Sequence, residues 1–169
     1  MFCLVFDCLA LDTNWIVRPF IEMSELLPVL EAAFIAEWPE YFSIEFPGRA
    51  REELLAYLEG EDLPLAWVAL TETGQLAGTA AIKTKAFGSV KGYSPWLAAG
   101  LTLPGFRKKG VASALIRHIE QEATLMGIPF LFVVTETANS IVEQNGWELF
   151  DTIESAGVDA PIYRKALHN

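Results

Sequence analysis

The sequence predicts an α/β fold, classed as α+β in some schemes, in which helices pack on one mixed sheet. The apolar pattern changes repeatedly between helical and strand periods along the 169 residues. Residues 64–87 indicate a strand, a tight turn and an antiparallel partner strand. Residues 94–135 indicate a strand, a helix and a strand, which makes the two strands parallel through a right-handed crossover. The length fits one domain, so we expect residues 1–169 to form a single domain.

The composition indicates a globular protein with an acidic surface. Apolar residues make up 52% and charged residues 20% of the chain, and the net charge is −10. An acidic balance argues against a general nucleic-acid binder, which normally presents a basic surface. It is compatible with a cationic or amine substrate, and it also serves simply to keep a protein in solution.

The first residues, "MFCLVFDCLALD", are apolar but do not predict a membrane anchor or a signal peptide. They lack a basic segment, Asp7 interrupts them, and they are too short to span a bilayer. We expect residues 1–13 to be an extension or an added edge strand. Cys3 and Cys8 match no metal or redox motif and are expected to be reduced and buried. These features predict a cytoplasmic protein without a membrane partner.

The first part of the chain is predicted to contain one strand, two helices and an aromatic loop. Ser24 is a suitable N-cap for the first helix, and Pro28 is tolerated only in its early turns. Gly60 is expected to end the second helix. The predicted ranges are 14–20 for the strand, 24–38 for the first helix, 38–48 for the loop and 49–61 for the second helix.

The rest of the chain is predicted to contain six further strands, a long helix and a short helix. The long helix starts near Gly110 and closes at Gly127. Its apolar face is predicted to contain Val111, Ala114, Leu115, Ile119 and Met126. The predicted strands are 64–70, 75–87, 94–103, 128–135 and a final pair at 147–155 and 159–167, with the short helix at 137–145.

Three cations, Arg107, Lys108 and Lys109, precede the long helix at the end that already carries positive partial charge. They are unfavourable beside an empty helix and complementary to an anion bound at its N-terminus. Gly110 would let the backbone approach such an anion closely, with the N–H groups of the first turn directed at it. The alternative is that the three side chains are simply solvated.

Two familiar phosphate motifs are absent. The P-loop requires G-x-x-x-x-G-K-[ST], but Gly110 is followed by Val111 and Ala112. The dinucleotide fingerprint G-x-G-x-x-G is missing as well. What remains is the pattern R-x-x-G-x-A, from Arg107 to Ala112.

The stretch "WLAAGLTLPGFRKKGVASALI", with "NSIVEQNGW" after the next strand, resembles the central region of the GNAT superfamily of acetyltransferases. Arg107, Gly110 and Ala112 match its R/Q-x-x-G-x-G/A signature. The resemblance implies a mostly antiparallel sheet with two splayed central parallel strands. It also implies transfer of an acetyl group from acetyl-coenzyme A, in a ternary complex, to the amine of a small molecule or peptide.

The resemblance further implies which residues bind the coenzyme. The pantetheine arm would pair with the end of a strand at Leu101, Thr102 and Leu103. The start of the short helix would touch it at Asn139. The residues assigned to the pyrophosphate are Arg107, Lys108, Lys109, Gly110, Val111 and Ala112, with Ser113 adding a hydroxyl.

The sequence departs from the family at the tyrosine that often protonates the departing thiolate. That tyrosine usually stands four residues before the glycine of the Gly-Trp element, and here the position is Val142. Three explanations stay open. Water protonates the thiolate, or Ser140, Glu143 or Tyr93 does so. The third is that the protein is a sensor or interaction domain that binds acyl-coenzyme A without turnover.

Other candidate residues carry weaker signals. Glu136, just past a buried strand, is the candidate carboxylate near the reacting centre, or else an exposed loop acid. His118 is interpreted as a partly exposed helix residue, and no spacing of ligand residues predicts a metal site. Five aromatic residues either line an acceptor pocket or pack in the core, namely Trp38, Tyr41, Phe42, Tyr93 and Trp96. The sequence leaves the oligomeric state open, with a homodimer as one expectation.

Overall fold

The computed structural model describes residues 14–45, 47–86, 91–155 and 158–168. Seven strands form one sheet in the order β1-β2-β3-β4-β5-β7-β6, with helices packed against it. The elements are β1 (Ile16–Pro19), α1 (Leu27–Glu37), α2 (Arg49–Ala56), β2 (Leu65–Leu70), β3 (Leu76–Lys83), β4 (Trp96–Thr102), α3 (Val111–Leu125), β5 (Phe130–Val134), α4 (Asn139–Gln144), β6 (Glu148–Ser155) and β7 (Val158–Ala166). This architecture confirms the predicted fold class, while the expectation for residues 1–13 lies outside the described residues.

Alternate residues of the strands face two different layers, as the period of a strand requires. In β2, Trp67 and Ala69 belong to the core that α3 covers. Val68 and Leu70 point the other way, into the core beneath α1 and α2. The sheet is therefore buried on both faces at its centre, which explains the nearly continuous apolar runs in β2 and β3.

The two central strands, β4 and β5, are parallel and share only one registered pair, Trp96 with Phe132. On its far side β5 pairs along its whole length with β7, and β4 pairs with β3. Beyond the shared pair, the facing edges of β4 and β5 have no strand partner among the described residues. The strands diverge towards their carboxyl ends, which confirms the predicted splay.

The first helical region differs from its prediction. Ser24 is not an N-cap, because it lies within a 3-10 segment (Phe20–Leu26) and its carbonyl accepts the N–H of Leu27. Met23 has a non-helical backbone, which separates this segment from the regular helix. The α-helix begins at Leu27 with Pro28 in its first turn, where a proline costs no hydrogen bond.

The neighbouring segments also differ in extent. The stretch expected to be an irregular loop contains a π-helical turn at Glu40–Glu45. Helix α2 ends at Ala56, before the expected Gly60, and turns follow it. Periodicity alone did not distinguish these turns from a continued helix.

Helix α3 has nearly the predicted range, and Gly127 follows its end with a left-handed φ of 73°. Its buried residues are Val111, Leu115, Ile116, Ile119 and Ala123. Met126 was expected on this face but is 42% exposed, because the helix has already ended at Leu125. No helix in the described part of the chain is long and apolar enough to cross a membrane.

Candidate active site

The separation of β4 from β5 coincides with a bulge in β4. Thr79 pairs with Leu101 and Ala81 pairs with Ala98, which leaves Ala80 opposite two residues of β4. One of the two, Ala99, has a φ of +53°, a conformation uncommon for residues other than glycine. A bulge bends its strand and increases the local twist. The bulge therefore redirects β4 just after its only pair with β5.

The N-terminus of α3 lies at the edge of the sheet where β4 and β5 end. Its N-cap is Gly110, with a φ of 82° and no side-chain cap. The first helical bond runs from the Ala114 N–H to the Gly110 carbonyl at 3.0 Å. A Cβ built on Gly110 would meet nothing within 4 Å. The N–H groups before Ala114 therefore have no partner within the helix and can bind an anion.

Two of the three cations before α3 bind groups of the chain itself. Arg107 forms an ion pair with Glu37, with Nη2 2.9 Å from Oε2, and its Nε donates to the Thr102 carbonyl at 3.2 Å. The Lys109 ammonium donates to the Gly105 carbonyl at 3.1 Å. Lys108 is exposed and has a φ of +59°. The loop is thus braced at both ends, with its positive charges gathered beside the helix start.

Two contacts that the sequence did not predict fix this loop on the sheet. The indole of Trp15 donates to the Lys109 carbonyl at 2.9 Å, from the start of the chain's described part. Gly78 in β3 permits a close approach, since a Cβ there would lie 2.6 Å from the Leu101 carbonyl and 2.9 Å from Val111 Cγ1. In the sequence, only the dipeptide Gly78-Thr79 of β3 could have indicated this close approach, and a glycine followed by a threonine is not a specific signal.

A buried acceptor without a donor lies at the start of α4. The Oδ1 atom of Asn139 is buried, and no hydrogen-bond donor reaches it among the described residues. Buried polar atoms are normally paired, so an unpaired one calls for an explanation. The preceding turn is closed by the Ala138 N–H, which donates to Thr135 Oγ1 at 2.9 Å. Asn139 Oδ1 is therefore an unused acceptor at the start of the helix that follows β5.

The structure brings most of the predicted coenzyme residues to one edge of the sheet. Leu101 and Thr102 end β4, Leu103 and residues 107–113 follow it, and Asn139 begins the helix after β5. Because β4 and β5 are parallel, their carboxyl ends lie at the same edge. Glu136 is exposed two residues beyond β5, at this same edge.

Position 142 holds a valine, which cannot donate a proton. The side chain of Val142 is 2% exposed within the core under α3. Of the three substitutes considered, Ser140 is exposed and Glu143 accepts the Tyr163 hydroxyl at 2.7 Å. Tyr93 donates to Asp151 at 2.8 Å, and this hydrogen bond is the main cause that raises the pKa of Tyr93. A raised phenol pKa keeps the group protonated but makes it a weaker acid.

The remaining candidates divide between core and surface. Phe42 and Trp96 are buried, whereas Tyr41 is exposed. His118 is half-buried on α3, 3.6 Å from Glu122, which agrees with its interpretation as a partly exposed helix residue. Among the residues that the structure describes, no group of histidine, cysteine and acidic side chains could hold a metal ion.

Comparison with known proteins identifies the class. The profile of the Acetyltransferase (GNAT) family matches residues 25–143, and the chain belongs to this family. No curated protein matches the chain in sequence.

Solved structures share the fold at low sequence identity. An aminoglycoside 6'-N-acetyltransferase complexed with coenzyme A has a TM-score of 0.74 at 15% identity, covering 91% of this chain and 98% of that one. The aminoglycoside 6'-N-acetyltransferase from Enterococcus faecium has a TM-score of 0.72 at 15% identity, with the same coverage of 91% and 98%. An N-acetyltransferase from Staphylococcus aureus Mu50 has a TM-score of 0.69 at 18% identity, covering 92% and 99%.

Proposed function

We propose that this protein is an N-acetyltransferase that moves an acetyl group from acetyl-coenzyme A to a primary amine of a small molecule or peptide. The amine attacks directly within a ternary complex, and the whole chain acts as one domain. The observation that carries the proposal is the opening between β4 and β5 beside the uncapped start of α3. Family membership and the fold shared with an acetyltransferase bound to coenzyme A support it.

The opening suits the amide-rich arm of the coenzyme. Beyond Trp96, the edge of β4 that faces β5 has no strand partner within the described ranges, so its backbone can pair with an extended ligand. We assign Leu101, Thr102 and Leu103 to this pairing. The unpaired Oδ1 of Asn139 then accepts an amide N–H, which removes the cost of leaving it buried and unsatisfied.

The start of α3 suits the pyrophosphate. We assign the N–H groups of Val111, Ala112 and Ser113 to its oxygens, with Gly110 leaving room for the approach. Lys108 and Lys109 contribute positive charge from the same loop. Arg107 braces the loop through the Thr102 carbonyl, and Glu37 offsets part of its positive charge.

Acetyl-coenzyme A supplies a thioester, whose carbonyl carbon accepts the amine nitrogen as the thiolate departs. An alkylamine is largely protonated at neutral pH, so a base must take its proton. Glu136 is the proposed carboxylate, acting directly or through water from the shared edge of the sheet. Since Val142 has no proton to give, we infer that water protonates the departing thiolate, with Ser140, Glu143 and Tyr93 as the alternatives.

One observation favours a second candidate function. Val142 occupies the position of the usual proton donor and is packed into the core. A protein that binds an acyl-coenzyme A as a sensor or interaction domain, without turnover, needs no proton donor there.

A melting experiment and a thiol-release screen separate these functions. Acetyl-coenzyme A at near-millimolar concentration should raise the melting temperature, because a ligand that binds only the folded state stabilises it. The screen covers amino acids, polyamines, aminoglycosides and peptide N-termini, and at least one amine should release thiol above the rate in water. A melting shift without release from any amine favours the sensor. No shift with any acyl-coenzyme A rules out both functions.

We also infer that the protein is cytoplasmic, since Cys3 and Cys8 match no disulfide framework. A homodimer is the oligomeric state we would test first, by light scattering with and without the coenzyme.

A further inference from the structure

Asn145, at the end of α4, contacts the proposed phosphate-binding turn of α3. Its Nδ2 donates to Ser113 Oγ at 3.0 Å and to the Ile141 carbonyl at 2.8 Å. An amide nitrogen carries two hydrogens, so these two bonds use both. The Ile141 carbonyl also fixes which way the amide points, because the opposite orientation would place two oxygens together.

This contact determines what the Ser113 hydroxyl can do. A hydroxyl offers one hydrogen and two lone pairs, and here a lone pair accepts from Asn145. The hydrogen is left over, and no group among the described residues accepts it. Ser113 is the third residue of α3, so its hydroxyl belongs to the same turn as the free N–H groups. The Ser113 hydroxyl is therefore an unused donor at this point, and such a donor is suited to a hydrogen bond with a phosphate oxygen.

We propose that Asn145 is a positioning residue that holds the Ser113 hydroxyl as a proton donor to the coenzyme phosphate. This inference rests on the proposed function and adds a residue outside the R-x-x-G-x-A pattern. Asn145 acts through Ser113 and does not itself touch the ligand.

Asn145 is held by a second set of contacts that fixes its own position. The ammonium of Lys165, on β7, donates to the Asn145 carbonyl at 2.6 Å. Lys165 also lies 4.0 Å from Glu120 of α3, which accepts the Trp147 indole N–H at 2.8 Å. These contacts join α3, the end of α4 and β7 before a ligand arrives. The orientation of the hydroxyl is therefore set in advance, which reduces the entropic cost of binding.

The test is a double-mutant cycle read by calorimetric titration with coenzyme A. Ser113→Ala and Asn145→Ala should each weaken binding by roughly tenfold, as expected for losing a hydrogen bond to a charged group. The double variant should bind about as weakly as Ser113→Ala alone, because Asn145 acts only through the hydroxyl. Ser113→Thr, which keeps the hydroxyl, should stay within about twofold of the wild type.

Two further variants keep the test decisive. Gln144→Ala changes an exposed neighbour of Asn145 and should bind as the wild type does. Asn145→Asp keeps the size of the side chain but replaces the donor with an acceptor, which captures the Ser113 proton. It should weaken binding at least as much as Asn145→Ala. Melting temperatures of the ligand-free variants identify any that fail to fold.

The outcomes are distinguishable. If the effects of Ser113→Ala and Asn145→Ala multiply in the double variant, or if Asn145→Asp binds as the wild type does, the positioning role is overturned. If the wild-type protein itself does not bind coenzyme A, the proposed function fails instead.

Discussion

Arg107 Nη2 lies 2.9 Å from Glu37 Oε2, so two charges that are each unfavourably placed offset one another. Arg107 approaches the positive end of α3, whereas Glu37 is the last residue of α1, where a negative charge opposes the helix dipole. The pair joins residues far apart in the sequence and ties the loop before α3 to the layer on the opposite face of the sheet. The cations before α3 are thus partly compensated even without a ligand.

Replacing Glu37 with glutamine should separate stability from ligand binding. The pair is about half exposed, so the free energy of unfolding should fall by no more than about 1 kcal/mol. The freed guanidinium then adds uncompensated charge beside the anion site, so coenzyme A should bind a few fold more tightly and with a steeper salt dependence. Calorimetric titrations at low and high salt measure this. Weaker binding at low salt would contradict it.

Gly110→Ala and Gly74→Ala form a matched pair, because both glycines have a left-handed φ and open space where a Cβ would lie. Each alanine should lower the free energy of unfolding by about 1 kcal/mol from backbone strain. Only Gly110→Ala should weaken coenzyme A binding, by roughly tenfold or more, since Gly74 lies in the turn between β2 and β3. Urea unfolding measures the free energy of unfolding, and titration calorimetry measures the affinity for coenzyme A. Equal losses of affinity in both variants would refute a role for the α3 N-terminus.

Gly78→Ala tests the close approach of α3 to the sheet. A Cβ at 2.6 Å from a backbone oxygen forces the backbone to shift, and overpacking of this kind costs about 1–3 kcal/mol. Gly100→Ala in the neighbouring strand is the control, since a Cβ there meets nothing within 4 Å. It should change the free energy of unfolding by less than about 1 kcal/mol. If urea unfolding gives both variants the same stability, the close packing is not a constraint.

We expect Glu120 to make a pH-dependent contribution to the free energy of unfolding. Burial is the main cause that raises its pKa, while the Trp147 hydrogen bond and the charge of Lys165 lower it in part. A carboxyl with a raised folded-state pKa stabilises fully below its unfolded pKa, and this contribution is lost as the pH rises through the folded pKa. The stability of Glu120→Gln relative to the wild type should therefore increase between about pH 4 and pH 7. Urea unfolding across that range measures it, and a decrease would contradict the sign.

The elements with strong local signals were predictable. The β2–β3 hairpin follows from alternation around a turn with Gly74, whose φ of +84° requires a residue such as glycine. Helix α3 follows from its apolar period and from Gly127 after its end. The family signature then placed Arg107 to Ala112 at the start of that helix, where the structure has them.

The features that were predicted wrongly or not predicted at all depend on residues that are distant in the sequence. Ser24 had a suitable side chain for a cap, but Phe20 is buried in the core and its segment adopts a 3-10 path instead. The contacts of Trp15 with Lys109 and of Arg107 with Glu37 join positions that no local pattern connects. The bulge at Ala99 is equally hidden, since alanine gives no sign of a positive φ.

The single registered pair between β4 and β5 makes the sheet two half-sheets joined along a seam. One half runs from β1 to β4 and the other contains β5, β7 and β6, so the ladder of hydrogen bonds is interrupted between them. Amide hydrogens of β4 that face the seam should exchange with solvent faster than those that face β3, although both belong to one central strand. A ligand bound between β4 and β5 would supply hydrogen-bond partners to the two facing strand edges. Binding would thereby join the two half-sheets into one continuous sheet.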